Sequence, residues 1–256
     1  MLAFSLHEHT DAAIRNGMMY RVKYFMYSVW STKIILFVPN GQNSYLWRLY
    51  WRVMLFKPPK LIKNIYPSFI WSFPKERNGI FLTFDDGPCP EVTPWVLDIL
   101  DKYNAKGTFF MIGKNVEQYP SLFEETIRRG HAVGSHSYSH IAGWRVPVDD
   151  YIQDVDLAAD IIKTNLYRPP YAKITRRQAD LLSERYNIVM WNILSRDYNR
   201  KLHHKVCARN VVPYLAPGSV VVFHDSKKAA KNLWYALPRT LEAASGMGLE
   251  CKPIIL

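Results

Sequence analysis

The stretch Gly79-Ile80-Phe81-Leu82-Thr83-Phe84-Asp85-Asp86-Gly87 decides how the chain is read. A short apolar run that stops abruptly at acidic residues reads as a buried strand. Working outward, the same grammar recurs. Pro90–Tyr103 places apolar residues at 92, 95, 96, 99 and 100, a helical period that starts at Thr93-Pro94. The spacing predicts further strands over 107–112, 132–135, 166–168, 187–193, 219–223 and 251–256. It predicts helices over 121–129, 149–166, 175–186, 203–215 and 227–245. Strand and helix alternating in this way imply an α/β fold, a parallel sheet with helices outside, and a closed or nearly closed barrel is the simplest arrangement. In such barrels the chemistry sits just beyond the C-terminal strand ends.

Polar, reactive residues stand at those places. Asp85 and Asp86 follow the first strand and His136 and His140 the third. Arg168 and Tyr171 follow the next, Asp197 follows the Ile188-Val189-Met190-Trp191 run, and His224-Asp225 follows Val220-Val221-Val222-Phe223. His136 and His140 are four apart, and on a helical turn they would face one way and share a metal. Asp85 or Asp86 can complete a two-histidine, one-carboxylate set with open positions for water and substrate. Adjacent side chains on an extended strand point apart, so one aspartate can bind metal while the other faces the reacting water. A partnership of His224 with Asp197 would fix the imidazole tautomer and raise its pKa, making it a proton donor. For each residue a plainer role competes: Asp-Asp-Gly-Pro suits a turn, and histidines are often structural.

Taken together, Thr83-Phe84-Asp85-Asp86-Gly87, His136-Ser137-Tyr138-Ser139-His140, Arg168-Pro169-Pro170-Tyr171 and Val222-Phe223-His224 resemble, in order, the motifs of the polysaccharide deacetylases of the NodB-homology, carbohydrate esterase family 4 type. The resemblance covers roughly 79–256. It implies a distorted (β/α)7-type barrel and metal-dependent removal of N-acetyl, sometimes O-acetyl, groups from sugars. It implies Asp85 as general base and Asp86, His136 and His140 as ligands of zinc, with cobalt, nickel or iron also suited to the donors. Arg168 would orient Asp85, the Tyr171 backbone N–H would help hold the oxyanion, and His224, tuned by Asp197, would protonate the leaving amine. The sequence departs from the family pattern at Leu194, Tyr198, Val222 and Ala172. These bear on the acetyl pocket and the substrate. An acetylated carbohydrate such as peptidoglycan or a chitin oligomer is the expected partner.

Two other readings compete. A metal-independent cyclic amide hydrolase of the same barrel type would be expected to lack the histidine pair. A non-catalytic sugar-binding module would be expected to lack Asp85 or His224. No G-x-S-x-G elbow or dinucleotide fingerprint occurs, and Gly107–Lys114 has the wrong spacing for a phosphate loop. Trp144 and Tyr138 are candidates for stacking on sugar rings, and Cys89 for a wall of the site.

The 256 residues carry a net charge of +11, unevenly. Residues 1–53 hold six Lys/Arg against two Asp/Glu, and residues 54–78 five against one, leaving a near-neutral body. That argues against a nucleic-acid partner. Three cysteines are too few for a disulfide framework. The expected organisation is a basic, aromatic N-terminal extension over 1–53, a lead-in over 54–78 marked by Pro58-Pro59, and the barrel over 79–256. Trp47, Arg48, Tyr50, Trp51 and Arg52 suit peripheral membrane contact through 1–56. Met54 is a candidate internal start. The opening residues lack a signal-peptide pattern, so a cytoplasmic or membrane-peripheral location is expected.

Overall fold

The structure, a computed structural model, describes Pro58 and residues 60–256. The extension 1–53, the membrane contact expected through 1–56 and the start at Met54 lie outside the described residues. No helix among the described residues is long and apolar enough to cross a membrane.

The chain runs α1 (Lys60–Ile65), β1 (Gly79–Asp85), α2 (Thr93–Lys102), β2 (Gly107–Met111), α3 (Gly113–Gln118), α4 (Pro120–Arg128), β3 (Ala132–Ser135), α5 (Val148–Ile162), β4 (Leu166–Tyr167), α6 (Arg176–Ser183), β5 (Asn187–Ile188), β6 (Ile193–Leu194), α7 (His204–Arg209), β7 (Val220–His224), α8 (Ala230–Gly246) and β8 (Glu250–Cys251). The strands pair in parallel in the order β5-β4-β3-β2-β1-β7-β6, with β8 added on β1.

Chain length forces this sheet to curl. Laid flat, the outer strands of the seven-strand path would stand roughly 29 Å apart at about 4.8 Å per neighbour. Only residues 189–192 join β5 to β6, and the step from Ile188 to Ile193 spans at most about 18 Å. The two edges must therefore approach each other, and the sheet becomes a half-barrel. This is also why the strand expected over 187–193 is two short ones. Asn187 and Ile188 pair with β4, the chain crosses the mouth of the curl, and Ile193 and Leu194 pair with β7. The strand expected over 251–256 stops at Cys251. Pro253 has no N–H to donate, and the next amide, Ile254, donates instead to Thr108 Oγ1 at 2.8 Å.

Strand alternation sets the two faces. On β1, Ile80, Leu82 and Phe84 pack with Val96, Leu97 and Leu100 of α2, Cys207 and Ala208 of α7, and Leu233, Leu237 and Leu241 of α8. Phe84 stacks on Phe109 at 4.8 Å between centroids. Each fully buried ring of this kind contributes about 2–3 kcal/mol of transfer free energy. The odd residues Phe81, Thr83 and Asp85 turn the other way, towards Phe110, Val220 and Val222. Asp85 thus ends the interior row of its strand.

Of the lead-in, the part from Tyr66 onward is built into the barrel. Phe69 and Trp71 are buried with Phe81, Val189 and Val220. Ile70 bridges Val189 in parallel and accepts the Met190 amide at 2.7 Å. Phe73 donates to the Gly218 carbonyl at 2.8 Å. Gly218 has φ +79, and a Cβ there would run into the Phe73 carbonyl, so only glycine serves. Phe69→Ala is expected to cost about 3 kcal/mol of unfolding free energy in a urea titration. An unchanged midpoint would mean that this segment is a detachable tether.

Candidate active site

Asp85 and His224 are register partners on adjacent strands, so their side chains leave the barrel rim together. The neighbouring residue does not continue the strand. Asp86 has φ 82, and this left-handed step swings its carboxylate to the histidines instead of away from the site. The separation of the two aspartates follows from that turn rather than from the strand alternation expected. Gly87 follows because the Asp225 carboxylate lies where a Cβ would be.

His136 and His140 lie on a loop, not on the helical turn expected. Ser137 (φ 61) and His140 (φ 55) are both left-handed and fold the loop so that the rings stand 5.0 Å apart. Asp154 on α5 holds this shape, accepting the Tyr138 amide at 2.9 Å and the Ser139 amide at 3.2 Å. Asp86 Oδ1 lies 3.2 Å from His140 Nε2 and 3.9 Å from His136 Nε2. One ligand atom from each of Asp86, His136 and His140 falls within 4.8 Å of the others.

The donor chemistry fits a divalent cation. His136 Nδ1 sits 2.7 Å from the Arg168 carbonyl, which can only accept, so Nδ1 carries the proton and Nε2 keeps its lone pair. Burial pushes the His136 pKa down to about 4, so the ring is neutral at pH 7, the form that can ligate a metal. Burial alone would raise the Asp86 pKa, but the contact with His140 and the nearby His224 and His136 hold it well below the usual carboxylate range. His140 Nδ1 is 3.1 Å from the Tyr171 hydroxyl, and Tyr171 itself has a left-handed backbone, φ 59.

Arg168 is wholly buried. It donates from Nη1 to Asp85 Oδ1 and Thr83 Oγ1, both at 2.7 Å, and from Nε and Nη2 to the Val189 and Met190 carbonyls, both at 2.9 Å. Its guanidinium lies 4.0 Å from the centroid of the Phe110 ring. On the other side of the site, Asp197 Oδ1 meets His224 Nδ1 at 2.7 Å, and Oδ2 accepts the His224 amide at 2.9 Å. Burial would lower the His224 pKa, yet the fully buried Asp197 overrides it and lifts the pKa to about 9.

All eight residues singled out in the sequence therefore gather at one end of the barrel. The residues that support them have no role in the sequence reading, which names Asp225 only as following the strand with His224. Asp225, beside His224, is buried, which pushes its pKa up to about 8, and its Oδ2 takes a hydrogen bond from Thr93 Oγ1 at 2.6 Å. Asn115 donates to the Asp86 carbonyl at 2.9 Å, and Asn232 to the Asp197 carbonyl at 2.8 Å. Only Asp225 carried a signal, as an acid after a strand. Of the residues expected around the site, Tyr138 is tied by its hydroxyl to Glu117 at 2.7 Å, and Cys89 is half-buried beside Glu91. Tyr198, which stands where the family pattern has tryptophan, sets its ring edge-on to His224.

The Asp197–His224 pair makes a direct prediction. Between pH 6.5 and about 9 the folded protein holds a proton on His224 that an unfolded chain has released. Asp197→Asn removes the strongest charge opposing burial and leaves only Asp86 and Asp85 against it, so in an NMR titration the His224 pKa is expected to fall well below 9. A value that stays near 9 would place the cause elsewhere.

Comparison with known proteins adds an independent line. The family model described as polysaccharide deacetylase matches residues 74–186. A peptidoglycan-N-acetylglucosamine deacetylase of Bacillus cereus is 32% identical over 166 residues, covering 62% of this chain and 60% of the relative. The chain thus spans less than two thirds of that relative's length. A second Bacillus cereus protein of the same description is 30% identical over 204 residues, covering 73% of this chain and 92% of the relative. A crystal structure of a peptidoglycan N-acetylglucosamine deacetylase superposes with a TM-score of 0.70 at 28% identity, over 77% of this chain and 94% of that one. With its barrel, its ordered motifs and these similarities, the chain belongs to the polysaccharide deacetylase family.

Proposed function

We propose that the chain is a metal-dependent hydrolase that removes N-acetyl groups from an amino-sugar residue of a polymer of the peptidoglycan kind. One observation carries this reading. A two-histidine, one-carboxylate cluster gathers at the same barrel end as a carboxylate held by a buried arginine and an imidazole held by a buried aspartate. A divalent metal, zinc by our reading of the donors, would be held by Asp86, His136 and His140. When bound it would supply Lewis acidity to the acetyl carbonyl and acidify water.

The chain's own residues do the rest. Asp85, fixed by Arg168, takes a proton from the attacking water. The charge that collects on the acetyl oxygen faces the Tyr171 backbone N–H. His224 keeps its proton at neutral pH because Asp197 stabilises the imidazolium, and it gives that proton to the amine nitrogen as the C–N bond breaks. Acetate and a free amino sugar result. The substrate class is supported by the names of the Bacillus cereus relatives. The assembled histidine pair favours this reading over the metal-independent amide hydrolase, and the intact Asp85 and His224 favour it over a sugar-binding module.

The test is acetate release from N-acetylglucosamine oligomers. Release should stop with a chelator and return when zinc is restored. Asp85→Asn and His224→Ala should each lower kcat by about 10²- to 10⁴-fold while the protein still binds metal. Acetate release that a chelator leaves untouched would overturn the mechanism. Absence of release from every acetylated sugar would overturn the substrate class.

A further inference from the structure

Trp144 stands apart among the exposed aromatic side chains. It lies in the short 3-10 turn Gly143–Arg145, four residues beyond His140, and so within about 14 Å of that residue along the chain. Its side chain is 58% exposed, yet it is not loose. Nε1 donates to the Ile174 carbonyl at 2.9 Å, which fixes the plane of the ring. The turn beneath it is fastened as well. The Gly143 amide donates to the Lys173 carbonyl at 2.8 Å, and Gln178 Nε2 donates to the Gly143 carbonyl at 3.0 Å. Gln178 is buried and also closes the capping box of α6 with Thr175. The loop after β3, which carries His136 and His140, is thereby joined to the loop after β4, which carries Tyr171.

Exposing a large apolar ring to water costs free energy, and a scattered example needs no explanation. An indole whose polar atom is already satisfied by protein, held on the same loop as His136 and His140, is a different case. It has given up rotational freedom in advance and offers a flat apolar face. The C–H face of a pyranose ring fits such a surface.

We propose that Trp144 is a platform for a sugar ring of the polymer lying outside the one that reacts, so that the chain prefers long substrates to short ones. This inference rests on the carbohydrate reading above. Trp234 provides the control. It is 50% exposed on α8 and set edge-on to Trp95, with no part in the loops of the site.

The experiment compares the metal-loaded wild type, Trp144→Ala and Trp234→Ala. Calorimetry measures the affinity for the β-1,4-linked tetramer of N-acetylglucosamine and for the monosaccharide, and acetate release gives kcat/KM for each. Thermal melting checks that both variants fold. The wild type should prefer the tetramer in both readouts. Trp144→Ala should lose about five- to tenfold of that preference, through Kd and KM rather than kcat, while Trp234→Ala retains it. An unaltered preference in Trp144→Ala, an equal loss on both sugars, or a wild type indifferent to length would each overturn the platform. The two readouts separate the readings. Tetramer binding through Trp144 without acetate release would sink the deacetylase reading and leave the platform standing. Acetate release indifferent to Trp144 would do the reverse.

Discussion

The guanidinium of Arg168 is sealed inside the barrel, and four hydrogen bonds leave it. Two of them reach the carbonyls of Val189 and Met190, in the crossing that brings the sheet edges together. The other two reach Thr83 and Asp85 on β1. A fifth contact comes from its own backbone, since the Arg168 carbonyl fixes the tautomer of His136. One residue therefore links closure of the curl, the aim of the carboxylate and the tautomer of His136. Desolvating a guanidinium is expensive, and here the compensation is complete only while every one of those acceptors is in place. The arrangement accounts for a cation in a core otherwise lined by Phe81, Phe110 and Val222.

Two histidines of the site, His136 and His224, show how surroundings assign protonation states. His136 is buried and His224 is half-buried, and desolvation pushes both towards the neutral form. At His136 burial outweighs the pull of Asp85 and Asp86, and the ring, hydrogen-bonded to a carbonyl, stays neutral. His224 meets a fully buried carboxylate and stays charged, as a proton donor must. In the proposed reaction the same side chain would thus serve as lone-pair donor at one position and acid at the other.

The alternation of strand and helix was legible because both have short-range periods, and the reactive residues were legible because they interrupt apolar runs. What escaped the sequence was non-local. Nothing within 187–193 announces that its two ends form the opposite edges of the sheet. Phe69 and Trp71 follow paired prolines and read as a linker, although Gly218, far along the chain, leaves the space that seats the segment. The left-handed turns at Asp86, Ser137 and His140 use residues that carry no glycine signal, and they persist because partners such as Asp154 hold them. Asp154 itself sits mid-helix in α5, where an acidic residue reads as solvated surface.

If Arg168 and Asp85 are one unit, their contributions to stability must be strongly coupled. The direct measurement is a double-mutant cycle in chemical unfolding, with Arg168→Met, Asp85→Asn and the pair together. The account predicts that Arg168→Met alone is severely destabilising because it strands a buried carboxylate. It predicts that adding Asp85→Asn recovers much of the loss, with a coupling energy of about 3 kcal/mol. Additive losses, with coupling near zero, would contradict it.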